Sequence, residues 1–409
     1  MWKAPVRANQ NSGISWKEED VLRRMETLAL TPFKVVIDGI KETGGNAFRL
    51  CYQCGLCEAV CPWNRVRNFS VRTMIHQAQF GVVDFESEDL WLCATCGACV
   101  ERCPRGVAII DIMRAMRRLL VPDGVVPASI PNLRGVMTSI ASVGNPWGQE
   151  PADRANWAKD LGVKEFTEDT ELLYFPCCYP SYDPRLRKVA AATAHILNRA
   201  GVDFGILGSK ESCCGESLRK AGNEALFRRL AKENIKTFID HGVKKILVSS
   251  PHCYHTFKNE YSEFKVNFEV VHVSQYLFEL INEGRLELTQ EYGKRVTYHD
   301  PCYLGRHNGI YDEPREVLKK IPGLELIEMA DTREDSLCCG MGGGRIWMET
   351  AKGERFSDLR LEQADEVGAE VLVTCCPYCI TQFEDSRLTL KDSEAIQIKD
   401  ITEVLQEVI

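Results

Sequence analysis

Cys338-Cys339-Gly340 and, earlier in the chain, Cys213-Cys214-Gly215 are two copies of one short signal. Thirty-six residues before each copy stands a further cysteine, Cys302 and Cys177. Thirty-six residues after Cys214 comes Ser250-Pro251-His252-Cys253, and thirty-seven after Cys339 comes Cys376-Pro377-Tyr378-Cys379. Phe257 and Phe383 follow four residues later, and Tyr182-Asp183-Pro184-Arg185 is echoed by Tyr311-Asp312-Glu313-Pro314-Arg315. Repetition at this spacing reads as an internal duplication.

Working outward, Leu172–Phe175, Lys245–Ser249, Arg295–Tyr298 and Val371–Thr374 are short apolar or β-rich runs that predict buried strands. Arg185–Ala200, with Gly201 as its cap, Asn223–His241 and Ser357–Val367 predict helices. Each half then runs strand, Cys, helix, strand, Cys-Cys-Gly, helix, strand, Cys. This places the cysteines beyond strand ends, where open α/β sheets gather ligands. The expected fold class is a multidomain α+β chain with two Rossmann-like α/β halves, 171–285 and 286–409, facing each other about a pseudo-dyad.

Nearer the N-terminus, Cys51, Cys54, Cys57 and Cys61, then Cys93, Cys96, Cys99 and Cys103, repeat the spacing +3, +3, +4, and both sets end in Cys-Pro. Val71–Phe80 between them reads as a helix. Ile109, Ile112, Met113, Met116, Leu119 and Leu120 form an apolar stripe opposite Arg114, Arg117 and Arg118. These features predict a helical ferredoxin-type domain over 46–120, preceded by an arm (1–45) that carries Trp2 and Trp16. The cysteine-free, Pro- and Gly-punctuated segment 121–170 reads as a linker.

The 409 residues include 19 cysteines, carry a net charge of −8, and are 44% hydrophobic and 26% charged. That balance fits a globular chain with sizeable cores and argues against a nucleic-acid binder. No apolar run approaches a membrane span, and Met1-Trp2-Lys3-Ala4-Pro5 begins no signal peptide, so a cytoplasmic setting is expected, with peripheral membrane association at most. Clustered cysteines in such a setting are metal ligands more often than disulfides.

In the tandem +3, +3, +4 sets, three cysteines wrap one cluster and the fourth, beside proline, ligates the other. One [4Fe-4S] cluster therefore takes Cys51, Cys54, Cys57 and Cys103; the second takes Cys93, Cys96, Cys99 and Cys61. Self-contained zinc groups do not use a swapped fourth ligand. Arg65, Arg67, Arg72, Arg102 and Arg105 beside these cysteines would raise a cluster's potential or form a basic docking face. Cys302, Cys338, Cys339, Cys376 and Cys379 offer five thiolates to one site, one more than a cubane needs. Gly340, Gly342, Gly343 and Gly344 would give the backbone room beside it; their spacing is no nucleotide fingerprint, so neither flavin nor NAD is expected on this chain.

At these residues the chain resembles the D-type component of heterodisulfide reductases, a CCG-domain family whose signature is Cys, Cys-Cys-Gly and Cys-x-x-Cys, present twice after two ferredoxin motifs. The layout is similar to that of DsrK-type proteins and of iron–sulfur subunits of glycolate oxidase, glycerol-3-phosphate dehydrogenase and benzoyl-CoA reductase systems, many of anaerobic metabolism. His299-Asp300-Pro301-Cys302-Tyr303-Leu304-Gly305-Arg306-His307-Asn308 is also similar to that family. The resemblance implies a noncubane [4Fe-4S] cluster on Cys302, Cys338, Cys339, Cys376 and Cys379, with Cys375 no ligand.

The first half departs from the pattern, because Ser250 stands where a cysteine is expected. Cys177, Cys213, Cys214 and Cys253 remain, suited to a further iron–sulfur cluster or to zinc, and Cys178 is left over. The resemblance implies reduction of a disulfide at the Cys302 site. His299, Arg306, His307 and His252 are candidates to supply protons or hold an anion, and Asp300 to orient the Cys302 loop. The alternative is a pure relay within a larger complex. Its partners would be a flavoprotein, a ferredoxin-like protein or a membrane cytochrome b, and a disulfide, thiol or carrier protein would be the substrate class.

Overall fold

The computed structural model of the chain describes residues 32–85, 87–121, 130–390 and 396–409. Trp2 and Trp16 of the expected arm, and 122–129 of the expected linker, lie outside the described residues. The end of the arm does not stand apart. A helix at Lys34–Ile40 lies against the helices Val71–Phe80 and Ile109–Leu120, with Ile40 fully buried.

The two cysteine sets share one backbone device. Gln53 and Thr95 take positive φ between the first and second cysteines of their sets, and Gly55 and Gly97 do so immediately after the second. Left-handed residues at these points curl each loop in the same way, the kind of backbone that forms anion-binding concavities. The helix Ile109–Leu120 supports both loops through buried Ile109, Ile112, Met113 and Met116. Its face opposite the apolar stripe is packed rather than solvated. Arg117 is fully buried, because its guanidinium finds five backbone carbonyl contacts there.

Two parallel sheets follow. In the first, β1 (Lys164–Glu165), β2 (Leu172–Phe175), β3 (Phe204–Ile206), β4 (Lys245–Val248) and β5 (Glu269–His272) lie in the order β1-β3-β2-β4-β5. In the second, β6 (Arg295–Tyr298), β7 (Glu325–Leu326), β8 (Val371–Thr374) and β9 (Gln397–Asp400) lie in the order β7-β6-β8-β9. β2 and β8 are buried at every residue, which is why each reads as an unbroken apolar run rather than an alternating one. The segment expected as a linker is not a bare connector. Pro131–Val143 is a helix that buries Leu133, Val136, Met137 and Ile140, and β1 pairs with β3 in the first sheet.

The halves interlock through helices: Ile401–Gln406 packs on Arg187–Arg199, and Val273–Asn282 on Asp312–Lys319. Arg185 of the first half fixes the second by ion pairs to Glu384 at 2.9 Å and Glu403 at 2.7 Å. The dicluster region is tied to the second half by Arg65 with Asp331 at 2.7 Å, Arg67 with Glu354 at 3.3 Å, and Arg102 with Asp335. Three arginines read as a docking face or a cluster-tuning set thus spend their charge on an internal seam.

Candidate metal centres

The cavity beside the first loop is lined by Cys51, Cys54, Cys57 and Cys103, so the fourth cysteine of the second set has crossed to the first. Cys61 makes the reverse crossing and lies against Cys93 and Cys96. Cys99 faces Cys93, Cys96 and Cys61, and also Cys57 of the neighbouring group. Burial pushes the Cys57 thiol up to about 11, helped by the nearby Cys51 and Cys54, and it raises Cys61, Cys93 and Cys99 as well. A buried crowd of thiols that resists ionisation is relieved by cations among them. The donor set fits two iron–sulfur clusters.

In the second half the thiols form a chain of contacts. Cys302 meets Cys338, Cys338 meets Cys339, and Cys379 meets both Cys339 (3.2 Å) and Cys376. Cys375 turns away toward Tyr298. His299 stands in this site, with a ring nitrogen within 4.8 Å of the Cys339 and Cys379 sulfurs. Arg360 Nε donates to His299 Nδ1 at 3.3 Å, which leaves the proton on Nε2, facing Cys339. Burial lowers the His299 pKa, so the ring is neutral. Asp300 grips Arg315 by two bonds of 2.7 and 2.8 Å and accepts from the Arg333 amide at 2.8 Å, which anchors the loop before Cys302.

His252 comes from the first half yet serves the second site, touching Cys376. Burial opposes its charge, but the Glu216 carboxylate at 3.0 Å and the Cys376 sulfur override it and hold the pKa at about 10. Burial likewise opposes the Cys376 thiolate, and hydrogen bonds from Cys379 and His252 bring it down to about 6. The His252 ring lies between Tyr303 and Tyr378, with centroids at 4.1 and 4.3 Å.

Arg306 and His307 have other work than the sequence suggested. Arg306 donates to the carbonyls of Cys96 (2.7 Å), Glu334 (3.0 Å) and Ser336 (2.7 Å), and His307 Nε2 pairs with the Thr95 carbonyl at 2.8 Å. Both clamp the Cys93–Cys99 loop onto the second half. Burial drives His307 down to about 3, so it stays neutral. The glycines also serve this junction. A Cβ on Gly342 or Gly343 would come within 2.3 Å of the Ala94 or Cys93 carbonyl oxygen. They make room for the ferredoxin loop rather than only for a cluster. The result is that the Cys96 and Cys338 thiols face each other across the domain boundary, each acting on the other's ionisation.

In the first half, Cys213, Cys214 and Cys253 come together, with Cys253 3.4 Å from Cys214, and Cys177 lies against Cys253. Sequence reasoning left out Cys178, whose sulfur meets Cys213 and lies 3.5 Å from Arg154 Nη1. A tyrosine following both Cys178 and Cys302 was the available signal.

The sequence matches a 4Fe-4S dicluster domain over residues 47–107 and a Cysteine-rich domain twice, over 172–258 and 296–384. It is 31% identical over 390 residues to the D component of the dihydromethanophenazine:CoB--CoM heterodisulfide reductase of Methanosarcina mazei, a match covering 87% of this chain and 93% of that one. The chain belongs to the family of heterodisulfide reductase D-type components. Longer proteins are similar to it as well. EtfAB:quinone oxidoreductase of Syntrophomonas wolfei is 39% identical over 334 residues, and the probable iron-sulfur-binding oxidoreductase FadF of Bacillus subtilis is 40% identical over 330. Each match covers 78% of this chain, which spans about half (46%) of either relative's length. None of this chain's helices, among the described residues, is long and apolar enough to cross a membrane.

Proposed function

We propose that the chain passes electrons between two [4Fe-4S] clusters of the dicluster region and a noncubane [4Fe-4S] cluster of the second half, where a disulfide or thiol is handled. One cubane would be held by Cys51, Cys54, Cys57 and Cys103, and the other by Cys93, Cys96, Cys99 and Cys61. The third cluster would be held by Cys302, Cys338, Cys339, Cys376 and Cys379. Such clusters supply one-electron transfer and, at an open iron, a place for a thiolate sulfur. The nearness of Cys96 to Cys338 carries this reading, since it would bring a ligand of one group close to a ligand of the next. The Cys57–Cys99 proximity does the same one step earlier.

Around that route the protein's own groups have clear tasks. His299 holds a proton at Nε2 beside Cys339, and His252 holds one beside Cys376 against Glu216. A cavity of about 460 Å³, lined by Trp63 and Trp347 and by both signs of charge (Arg67 and Arg345, with Glu88, Glu349 and Glu354), adjoins the pocket that reaches Cys339 and Gly340. It would admit a small thiol or disulfide. The two parallel sheets and the aromatic contacts of Tyr303, His252, Tyr378 and Tyr179 across the seam support two Rossmann-like halves related by a pseudo-twofold duplication, bounded near 171–285 and 286–409.

A relay reading is favoured by the relative named EtfAB:quinone oxidoreductase, roughly twice this chain's matched span. Under it the donor and acceptor, flavoprotein or quinone-linked, reside on partners.

Iron analysis and electron paramagnetic resonance of the anaerobically purified chain test the proposal. Cys339→Ala abolishes the unusual second-half signal and leaves the cubane signals. About 8 Fe per chain with no unusual signal rejects the third cluster. Turnover of a heterodisulfide by the reduced chain separates substrate chemistry from relay.

A further inference from the structure

Strand register aligns the first half with the second. Tyr174 of β2 pairs with Leu247 of β4, and Tyr298 of β6 pairs with Val373 of β8. The Tyr174 hydroxyl bonds Ser249 Oγ at 2.8 Å, and Tyr298 meets the Cys375 sulfur; four residues beyond these partners stand Cys253 and Cys379. Four residues beyond each tyrosine stand Cys178 and Cys302, each followed by another tyrosine. Cys178 therefore occupies the place of Cys302, and Cys177 that of Pro301.

The sulfur contacts run in one order in both halves. The second half reads Cys302, Cys338, Cys339, Cys379, Cys376. The first reads Cys178, Cys213, Cys214, Cys253, Cys177. The glycine amide after each cysteine pair donates to the same sulfur, Gly215 to Cys213 at 3.4 Å and Gly340 to Cys338 at 3.3 Å. Only the last sulfur differs in origin. Ser250 is fully buried and its Oγ has no partner. Cys177 holds φ at +81°, a conformation closed to the proline at the matching position, and it brings its sulfur to Cys253. Such a backbone is strained in a non-glycine residue and persists where surroundings or function demand it.

We propose that the first half holds a multi-iron cluster on five thiolates, Cys178, Cys213, Cys214, Cys253 and Cys177, with Cys177 replacing the sulfur that Ser250 lacks. The inference rests on the reading of the second half as a five-thiolate cluster site. A single zinc ion fits poorly. Four sulfurs about 2.3 Å from one zinc lie within about 4 Å of each other. Among the described residues, the one trio of ligand atoms mutually within 4.8 Å is His299, Cys339 and Cys379, in the other half. The first-half sulfurs form an extended chain suited to several metal ions. Arg154 offers a donor to this chain of sulfurs: it is buried, held by Glu211 at 2.9 Å, lies 3.5 Å from Cys178 through Nη1, and has an unpartnered Nη2.

The test counts iron and zinc per anaerobically purified full-length chain and records Mössbauer and paramagnetic resonance spectra. The wild type carries about 16 Fe and no stoichiometric zinc. Cys177→Ala and Cys178→Ala each lose about 4 Fe and keep the cubane and second-half signals, which reports an intact fold. Adding Ser250→Cys to Cys177→Ala restores about 16 Fe. Undiminished iron in Cys177→Ala, failure of that rescue, or zinc in the wild-type first half overturns the inference. A wild type with about 12 Fe and a normal second-half signal overturns it too, but leaves the proposed function standing.

Discussion

Arg117→Gln is expected to lower the reduction potential of the cluster held by Cys93. The Arg117 guanidinium is fully buried, and its partners are carbonyls: Leu90 at 3.0 and 2.9 Å, Cys93 at 3.0 Å, Lys220 at 2.9 Å and Gly343 at 2.8 Å. No carboxylate of the described residues pairs with it, so its charge faces the thiolates. Burial raises the Cys93 pKa, and the Arg117 charge acts against that rise. For a unit charge about 7 Å from an added electron, an effective dielectric of about 20 gives an interaction of about 2.4 kcal/mol. Reduction adds one negative charge, so losing the cation shifts a one-electron potential down by about 100 mV, at 59 mV per tenfold. A redox titration followed by paramagnetic resonance measures this. Arg117→Lys, which keeps the charge, should recover most of the shift. A Gln variant within about 20 mV of wild type, or one shifted upward, would refute the electrostatic argument.

Gly343→Ala places a Cβ 2.3 Å from the Cys93 carbonyl oxygen at a residue whose φ is +68°. It should loosen the dicluster region from the second half, seen as faster proteolysis across the seam and slower transfer to the second-half cluster. Cys375→Ala should leave iron content unchanged, because that thiol faces Tyr298 rather than the site; loss of about 4 Fe would make it a ligand. Asp400 caps the helix Ile401–Gln406, and burial raises its pKa from the usual 3.8 to about 7. Its titration therefore favours the folded state fully below about pH 4, and this contribution is lost as pH rises through about 7. Asp400→Asn should flatten the pH dependence of thermal stability over that interval. An unchanged profile would show that another group governs it.

Much of the site was legible because it is written in short covalent spacings. The strands Leu172–Phe175, Arg295–Tyr298 and Val371–Thr374, and the helix Val71–Phe80, stand where their apolar runs placed them. Where the reading missed, long-range packing was responsible. Arg117 was placed opposite the apolar stripe of its helix, a pattern that does not register the carbonyls of Leu90, Lys220 and Gly343 that bury it. Segment 121–170 looked like punctuation, yet its helix Pro131–Val143 buries an apolar face and its β1 joins a sheet by pairing with β3, about forty residues on.

What the sequence determined by itself is which sulfurs are local neighbours. The +3, +3, +4 sets and the two Cys-Cys-Gly corners need only a few bonds of chain to bring their thiols together. The tertiary structure decided which sulfurs meet across distance. It set Cys96 against Cys338, His252 of one half beside Cys376 of the other, and Cys178 rather than Cys177 in the place of Cys302. Counting residues back from Cys213 aligned the wrong cysteine, because the connection between strand and Cys-Cys-Gly differs by one residue in length between the halves. Hydrogen-bonded strand register does not tolerate that slip: shifting β2 by one residue would turn its buried side chains to the opposite face.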